Sequence, residues 1–260
     1  MSKATTIGAL MAVAMLASTG CRLEEAYQKW AQQATDSVDT VQGESALLVA
    51  STEGVDPTMD GAEAAAAAAE HAGRFYQPAG CLTATVSGRT VEYVLDDCTG
   101  PYGLLHVTGT VTVDYTPQAD GLGYTTTARG LHINGATVDV DGQGVYRRVG
   151  TRHEIRGAVS GRGTGPRGHS FTRSGMRTFT WDPGTACMTL DGEWTTDVEG
   201  KSWDTIVTDF EKCGRSCPAE GGAISWIGPR NSLAVRYDGT DVAEWSTAAG
   251  REGTVSLFCE

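Results

Sequence analysis

Cysteine and arginine are the residues whose spacing could do chemistry in this chain. Cys81, Cys98, Cys187, Cys213, Cys217 and Cys259 form a set of six, and Cys21 stands apart behind Ser18-Thr19-Gly20. A thiol can oxidise in pairs, hold zinc or attack an electrophile. Cys213-Gly-Arg-Ser-Cys217 has a spacing that zinc tolerates, but no second close pair accompanies it, so disulfides are the better reading. The arginines are concentrated between positions 147 and 177. Eight of them (147, 148, 152, 156, 162, 167, 173, 177) face one acid, Glu154, so this stretch carries +7 while the rest carries −19 of the net −12. A guanidinium fork grips phosphate and carboxylate with two parallel bonds. Arg147, Arg148, Arg152 and Arg156 are therefore candidates for a face that binds an anionic glycan or lipid. The competing reading is that they pair with the acidic remainder of the same chain.

No catalytic motif accompanies these residues. The chain has no Gly-x-Ser-x-Gly, no His-Glu-x-x-His, no phosphate loop and no dinucleotide fingerprint after a strand, so no catalytic residue, metal site or cofactor is assigned. His106, His132, His153 and His169 fall singly on expected strands, and His71 falls on an expected helix; each reads as solvated. Asp139-x-Asp141-Gly142-x-Gly144 resembles a piece of a calcium loop but lacks the downstream bidentate glutamate, and reads as a hairpin turn. Asp96 and Asp97 are adjacent, so on a strand they would point to opposite faces; a turn is their expected role. The acidic balance argues against a nucleic-acid partner.

The elements that must position the cysteines and arginines are mainly strands. From Cys81 onward apolar residues alternate, as in Leu105, Val107, Val111, Val113 and Tyr115 against His106, Thr108, Thr110, Thr112 and Asp114, which marks sheet with one buried face. Turn signals recur at Asn134-Gly135, Asp141-Gly142, Val149-Gly150, Asp182-Pro183-Gly184, Glu199-Gly200, Asp238-Gly239 and Ala249-Gly250. The expected fold is a mainly β, large curved antiparallel meander (half-barrel, barrel or sandwich) preceded by one or two α-helices. The 34 glycines fit its hairpins and bulges. Upstream, Leu23, Tyr27, Trp30, Ala34, Val38 and Val41 fit one amphipathic helix that Gly43 ends, and Gly54 to Pro57 reads as a linker. Asp60 and Glu63 form a capping box for an alanine-rich helix that Gly73 closes. These helices either cover the sheet or act as a tether.

One hairpin fixes a disulfide. With the turn centred on Gly200, opposed residues sum to 400, which sets Cys187 against Cys213, Leu190 against Phe210 and Trp194 against Ile206. Met188, Leu190, Trp194, Val198, Ile206 and Phe210 then share the buried face. Cys81 and Cys98 flank the Ser87-Gly88 hairpin, which leaves Cys217 and Cys259 as the third pair. The same register opposes Asp191 to Asp209, two like charges, so either Asp191-Gly192 is a bulge where the register slips, or a cation sits between them; the bulge is preferred. Trp181, Trp194, Trp226 and Trp245 are expected in the core, and Trp203 on the polar face, where it could stack on a sugar.

The N-terminus speaks to compartment. Lys3, an apolar run from Ile7 to Leu16 and then small residues have the layout of a secretory signal, and the run is shorter than the roughly 20 residues that span a bilayer. Met15-Leu16-Ala17-Ser18-Thr19-Gly20-Cys21 resembles a bacterial lipobox, with Ser18 where leucine is usual. The resemblance implies a diacylglycerol on the Cys21 sulfur, cleavage before it, and, with Arg22 following, an outer-membrane address. The alternative is a plain secretory signal cut near Gly20. Removing Cys21 from the count leaves six cysteines for an oxidising envelope, an even number. Tyr93-Val-Leu-Asp-Asp-Cys98-Thr-Gly-Pro-Tyr-Gly103 and Gly109-Thr-Val-Thr-Val-Asp-Tyr115 add a similarity to bacterial envelope lipoproteins, which implies no particular activity. The order of elements also resembles the periplasmic lipid-carrier architecture, a half-barrel covered by helices.

The expected organisation is thus a signal peptide over 1–20, a helical acidic segment over 21–79 and a disulfide-tied β domain over 80–260. The expected role is a non-catalytic structural or recognition protein, anchored in the membrane through Cys21. The alternative is a carrier of a hydrophobic or acyl ligand, which an apolar pocket of several hundred Å³ under the helices would favour and a filled interior would disfavour.

Overall fold

The computed structural model describes residues 25–35, 38, 48–100, 106–165, 168–182, 185, 187–214, 216–229, 231–257 and 259. Cys21 and its preceding segment, Arg22, Leu23, Val41, Gly43, the 101–105 stretch with Leu105, Arg167 and Pro183-Gly184 lie outside these residues. Thirteen strands follow one another: β1 (Leu82–Ser87), β2 (Thr90–Thr99), β3 (His106–Gln118), β4 (Gly121–Ile133), β5 (Ala136–Val149), β6 (Arg152–Thr164) and β7 (Ser170–Trp181). Then come β8 (Cys187–Val198), β9 (Lys201–Cys213), β10 (Ala223–Ile227), β11 (Ser232–Tyr237), β12 (Val242–Thr247) and β13 (Glu252–Ser256). Each pairs antiparallel with its neighbours in sequence, so all thirteen form one open meander with β1 and β13 at its edges. The expected mainly β meander with N-terminal helices is the observed architecture, and of the closures considered, a closed barrel is not what forms.

Alternation fixes which face is buried. On β7, Arg177, Phe179 and Trp181 are buried while Thr172, Ser174 and Met176 face outward. The same rule buries Tyr124 on β4, Tyr146 on β5, Ile155 on β6 and Leu190 and Trp194 on β8. Burying one such side chain contributes about 1.5–3 kcal/mol, and the core they form is continuous.

The N-terminal segment covers this inner face. Helix α1 (25–35) buries Ala31 and Ala34, and its Tyr27 stacks on Trp245 of β12 with ring centres 5.9 Å apart. Trp30 meets Trp226 of β10 at 6.0 Å. Helix α2 (Gly61–His71) starts at the Asp60 capping box and lays Ala64, Ala65 and Ala68 against β1, β2 and β3. Alanine permits that close approach, as does Gly61, where a Cβ would lie 2.4 Å from the Tyr115 carbonyl. Gly73 does not end this helix; the chain continues into a 3₁₀ turn, Ala72–Phe75. Nor is 54–57 a loose linker. Val55 is buried, and its carbonyl accepts from the Tyr146 hydroxyl at 3.2 Å, while Ser51 accepts from the Tyr115 hydroxyl at 2.5 Å. Residues 48–56 thus form a strap pinned to the sheet, and the helices act as a cover.

The β8–β9 hairpin answers both register questions. Cys187 pairs with Cys213 and Leu190 with Phe210, but Gly192 pairs with Val207, so the register slips by one at Asp191. The bulge falls on β9, where Asp209 takes φ 50°, and the Asp191 carboxylate accepts the Asp209 backbone N–H at 2.8 Å. That hydrogen bond answers the like-charge problem, and the turn becomes Glu199-Gly200 between Val198 and Lys201. Beyond the slip the faces of β9 exchange. Ile206 turns outward, contrary to expectation, and Thr205 and Val207 are buried instead. Trp203 turns inward with them and packs on Trp226 at 5.5 Å, which removes it as a sugar platform.

Disulfides join Cys81 to Cys98, Cys187 to Cys213 and Cys217 to Cys259, the three expected pairs. Three such bonds mark an oxidising, extracytoplasmic compartment. Among the described residues no helix is long and apolar enough to cross a membrane.

Candidate functional site: a buried arginine beneath the helical cover

The arginines do not form one face. Alternation sends Arg147, Arg152, Arg156 and Arg162 outward but Arg148, Arg173 and Arg177 toward the inner face. Arg147 grips Glu154 at 2.6 Å, Arg162 reaches Asp139 at 3.2 Å, and Arg148 meets Asp56 of the strap at 3.5 Å. Among the described residues no ion pair reaches Arg152 or Arg156. Of the four candidates for an anion-binding face, then, Arg147, Arg152 and Arg156 share the outer surface, and Arg148 lies on the opposite side, engaged by Asp56.

Arg177 is the unexpected one. It is 6% exposed at the middle of β7, with its guanidinium carbon 5.7 Å from the Trp194 ring centre. One cross-strand row runs through it: Tyr115, Tyr124, Gly144, Gly157, Arg177, Gly192 and Val207, from β3 to β9. Three of these seven positions lack a side chain, and the larger neighbours fill the room. Tyr124 lies across the two glycines beside it, because its hydroxyl would be 2.7 Å from a Cβ on Gly144 and 2.6 Å from one on Gly157. With strands about 4.8 Å apart, this brings the phenol over β6, next to Arg177 on β7. The next inner row places Thr126, Gly142, Val159, Gly175 and Trp194 in register.

Two small clefts adjoin there. One, of about 50 Å³, lies between the strap, the 3₁₀ turn and strands β1 to β7, with Leu48, Val111, Ala128, Val140, Thr126 and Arg177 in its lining. The other, of about 10 Å³, is bounded by Leu48, Tyr124, Gly157, Val159, Arg177 and Phe179. Leu48, Val159 and Arg177 belong to both. The walls are apolar, yet the hydroxyls of Tyr124 and Thr126 are buried without a hydrogen-bond partner among the described residues. A buried polar group left unpaired costs about 1–3 kcal/mol, so these two hydroxyls call for a partner such as an ordered water. Burial raises the Tyr124 phenol above its ordinary pKa, with Arg177 pulling weakly the other way, and it stays protonated as a donor.

The remaining candidates resolve as structure. Tyr146 bridges the Val55 carbonyl and His153 Nδ1, the latter at 2.7 Å, and burial holds His153 below its ordinary pKa. His106 pairs with Asp97 at 3.1 Å, both well exposed, and His169 with Glu199 at 2.8 Å. Asp96-Asp97 sits at a bulge of β2, and Asp97 has φ 55°. Asp139 and Asp141 lie within β5, so Asp141-Gly142 is no turn; Asp139 accepts from Gly130 N–H at 2.9 Å and Asp141 from Arg129 at 2.6 Å. Cys187, Glu211 and Cys213 come within 4.8 Å of one another, but both sulfurs are in a disulfide and neither can serve as a thiolate ligand.

Comparison with family models, with curated proteins and with solved structures found no match to the chain. Arg177 was visible in the sequence only as one of eight arginines, and Tyr124 and Thr126 as alternating strand residues. The signal that could have found them is the set of glycines at alternate strand positions, Gly142-x-Gly144 and Gly161-x-Gly163, with Gly157 and Gly175 between turns. None of them takes positive φ, so turn chemistry does not explain them; at Gly144, Gly157, Gly163 and Gly175 a neighbour needs the room, whereas a Cβ on Gly142 or Gly161 would meet only ordinary contacts.

Proposed function

We propose that this is an exported, lipid-anchored envelope protein with a non-catalytic recognition role. The observation that carries the reading is the cysteine account. Every cysteine after Cys21 is used in one of three disulfides, which leaves Cys21 alone outside that framework, directly behind Ser18-Thr19-Gly20. Its sulfur would take the diacylglycerol, and an outer-membrane address would follow from Arg22. Arg152 and Arg156, exposed on β6 without ion pairs among the described residues, are the outward cations that an acidic glycan or lipid headgroup would meet. Labelling cells with an alkyne fatty acid tests the anchor: wild type should carry the label and Cys21→Ala should not. Equal labelling of the two would overturn the reading.

A second reading, a carrier of a hydrophobic or acyl ligand, would need an apolar pocket of several hundred Å³ under the helices, and the clefts under the strap fall short of it. Their free volume, about 50 Å³ and about 10 Å³, falls far below that of a lipid, so any cargo is small or displaces Leu48.

A further inference from the structure

We infer that an open trough on the outer face of the sheet binds an acidic glycan, one sugar ring lying over Ala158 and Met176 and its carboxylate held by Arg156. The inference rests on the acidic-glycan side of the recognition reading and is independent of the anchor. The trough crosses β4 to β7 and measures about 470 Å³, room for a small ligand that the clefts beneath the strap lack. Thr127, Asp141, Ser160 and Ser174 form one outward cross-strand row along it. In the next outward row, Thr125 and Gln143 lead to Ala158 and Met176, which oppose each other directly. Four hydroxyls and one carboxamide therefore meet in one cavity, and none of the five side chains makes a hydrogen bond among the described residues. Each of these groups both donates and accepts, and the ligand that answers them in kind carries several hydroxyls of its own. Ala158 and the Met176 side chain, which is 44% exposed, supply the apolar patch that the C–H face of a sugar ring needs.

Charge decides that the glycan is acidic. Among the described residues three arginines flank the trough. Arg129 is spent on Asp141 at 2.6 Å, and Arg162 on Asp139 at 3.2 Å. Arg156 lies on the same face of β6 as Ala158, about 7 Å along the strand, and has no ion pair among the described residues. Its fork takes a carboxylate with two parallel bonds, so the acid of the ring belongs at that end. On the other side Met176 is opposed to Glu193, an exposed carboxylate that repels a second anion. A lipid headgroup would meet the same guanidinium but leave the hydroxyls of the trough unused, so the lining favours the glycan.

Calorimetric titration of the full disulfide-bonded protein with an oligogalacturonate, its methyl ester, poly-glutamate of matched length and phosphatidylglycerol vesicles separates these chemistries. The uronate should bind at least about tenfold tighter than its uncharged ester, in line with the strength of charge-assisted bonds, and tighter than the peptide, which has the charge without the ring hydroxyls. Arg156→Gln should bring the uronate down to the affinity of the ester, and Glu193→Gln should raise it. Ser160→Ala and Thr127→Val should each weaken the uronate severalfold with far-UV circular dichroism unchanged, and Ala158→Trp, which fills the floor of the trough, should abolish binding. Should Ala158→Trp fail to fold, the two hydroxyl variants decide the matter. Loss of binding in Arg156→Gln with no change in either hydroxyl variant would overturn the trough and leave the acidic-glycan reading standing. No binding of the uronate by wild type would overturn the inference, and binding of the vesicles in its place would hand Arg152 and Arg156 to a lipid headgroup. Equal affinity for uronate and ester, or for uronate and poly-glutamate, would overturn it as well. None of these outcomes touches the lipid-labelling result.

Discussion

A single missing side chain sets the local geometry at Gly157. A Cβ there would come 2.4 Å from the Gln143 carbonyl and 2.6 Å from the Tyr124 hydroxyl, one a strand backbone and the other the end of a rigid ring. Neither can retreat without breaking the β5–β6 ladder or expelling the phenol from beside Arg177. Gly157→Ala should therefore destabilise the protein by about 1–3 kcal/mol, the usual penalty of overpacking, as read from the urea midpoint at constant m-value. Gly150→Ala is the control for glycine as such: no atom lies within 4 Å of its Cβ, and its cost is backbone strain at φ 64° alone. At this scale the sequence was only partly legible. The cysteine pairing followed from hairpin spacing, because opposed positions in an antiparallel ladder are a matter of counting. The Arg177 site did not, because its residues come from β4 and β7 and meet only through glycines on β5 and β6, which a linear reading assigns to turns. Counting also misplaced Ile206 and Trp203, since one extra residue in β9 exchanges the faces beyond it.

Elements are joined here by a few polar pins laid over a broad apolar contact. The Asp60 carboxylate accepts the N–H groups of Ala62 and Glu63, each at 2.9 Å, and the Glu63 side chain returns a bond to the Asp60 N–H. Asp60→Ala removes that reciprocal cap and should cost about 1 kcal/mol, with the loss of amide protection concentrated in α2 and the strap rather than in the sheet, as hydrogen exchange would report. The capping box was legible because Asp-x-x-Glu before an alanine run has one local meaning. What covers what was not. A tether and a cover have the same helix periodicity, and long-range contacts distinguish them: Tyr27 stacks on Trp245 and Trp30 packs on Trp226, across more than 190 residues of chain, and α2 lies on β1 to β3.

Across the whole molecule, a sheet whose strands follow in sequence order has its long-range constraints elsewhere, in the disulfides and in the packing of α1 on β10 and β12. Each disulfide closes a loop of 17, 26 or 42 residues, and such a bond contributes about 2–4 kcal/mol. The Cys217–Cys259 bond ties the last strand to the loop after β9, so replacing both cysteines by serine should loosen β10–β13 first. Fluorescence of the tryptophans on β10 and β12 should then redden at a denaturant concentration below the loss of far-UV signal. If the two transitions coincide, the C-terminal strands do not open separately. The seating of α1 also bears on where the molecule can sit. Position 25 is four residues beyond Cys21, and four residues span at most about 14 Å when fully extended. With a lipid on Cys21, position 25 would be leashed within about that distance of the bilayer. The C-terminal strands on which α1 packs would then be held close to the membrane with it, while β1 to β7, which α1 does not touch through these rings, would lie further along the sheet.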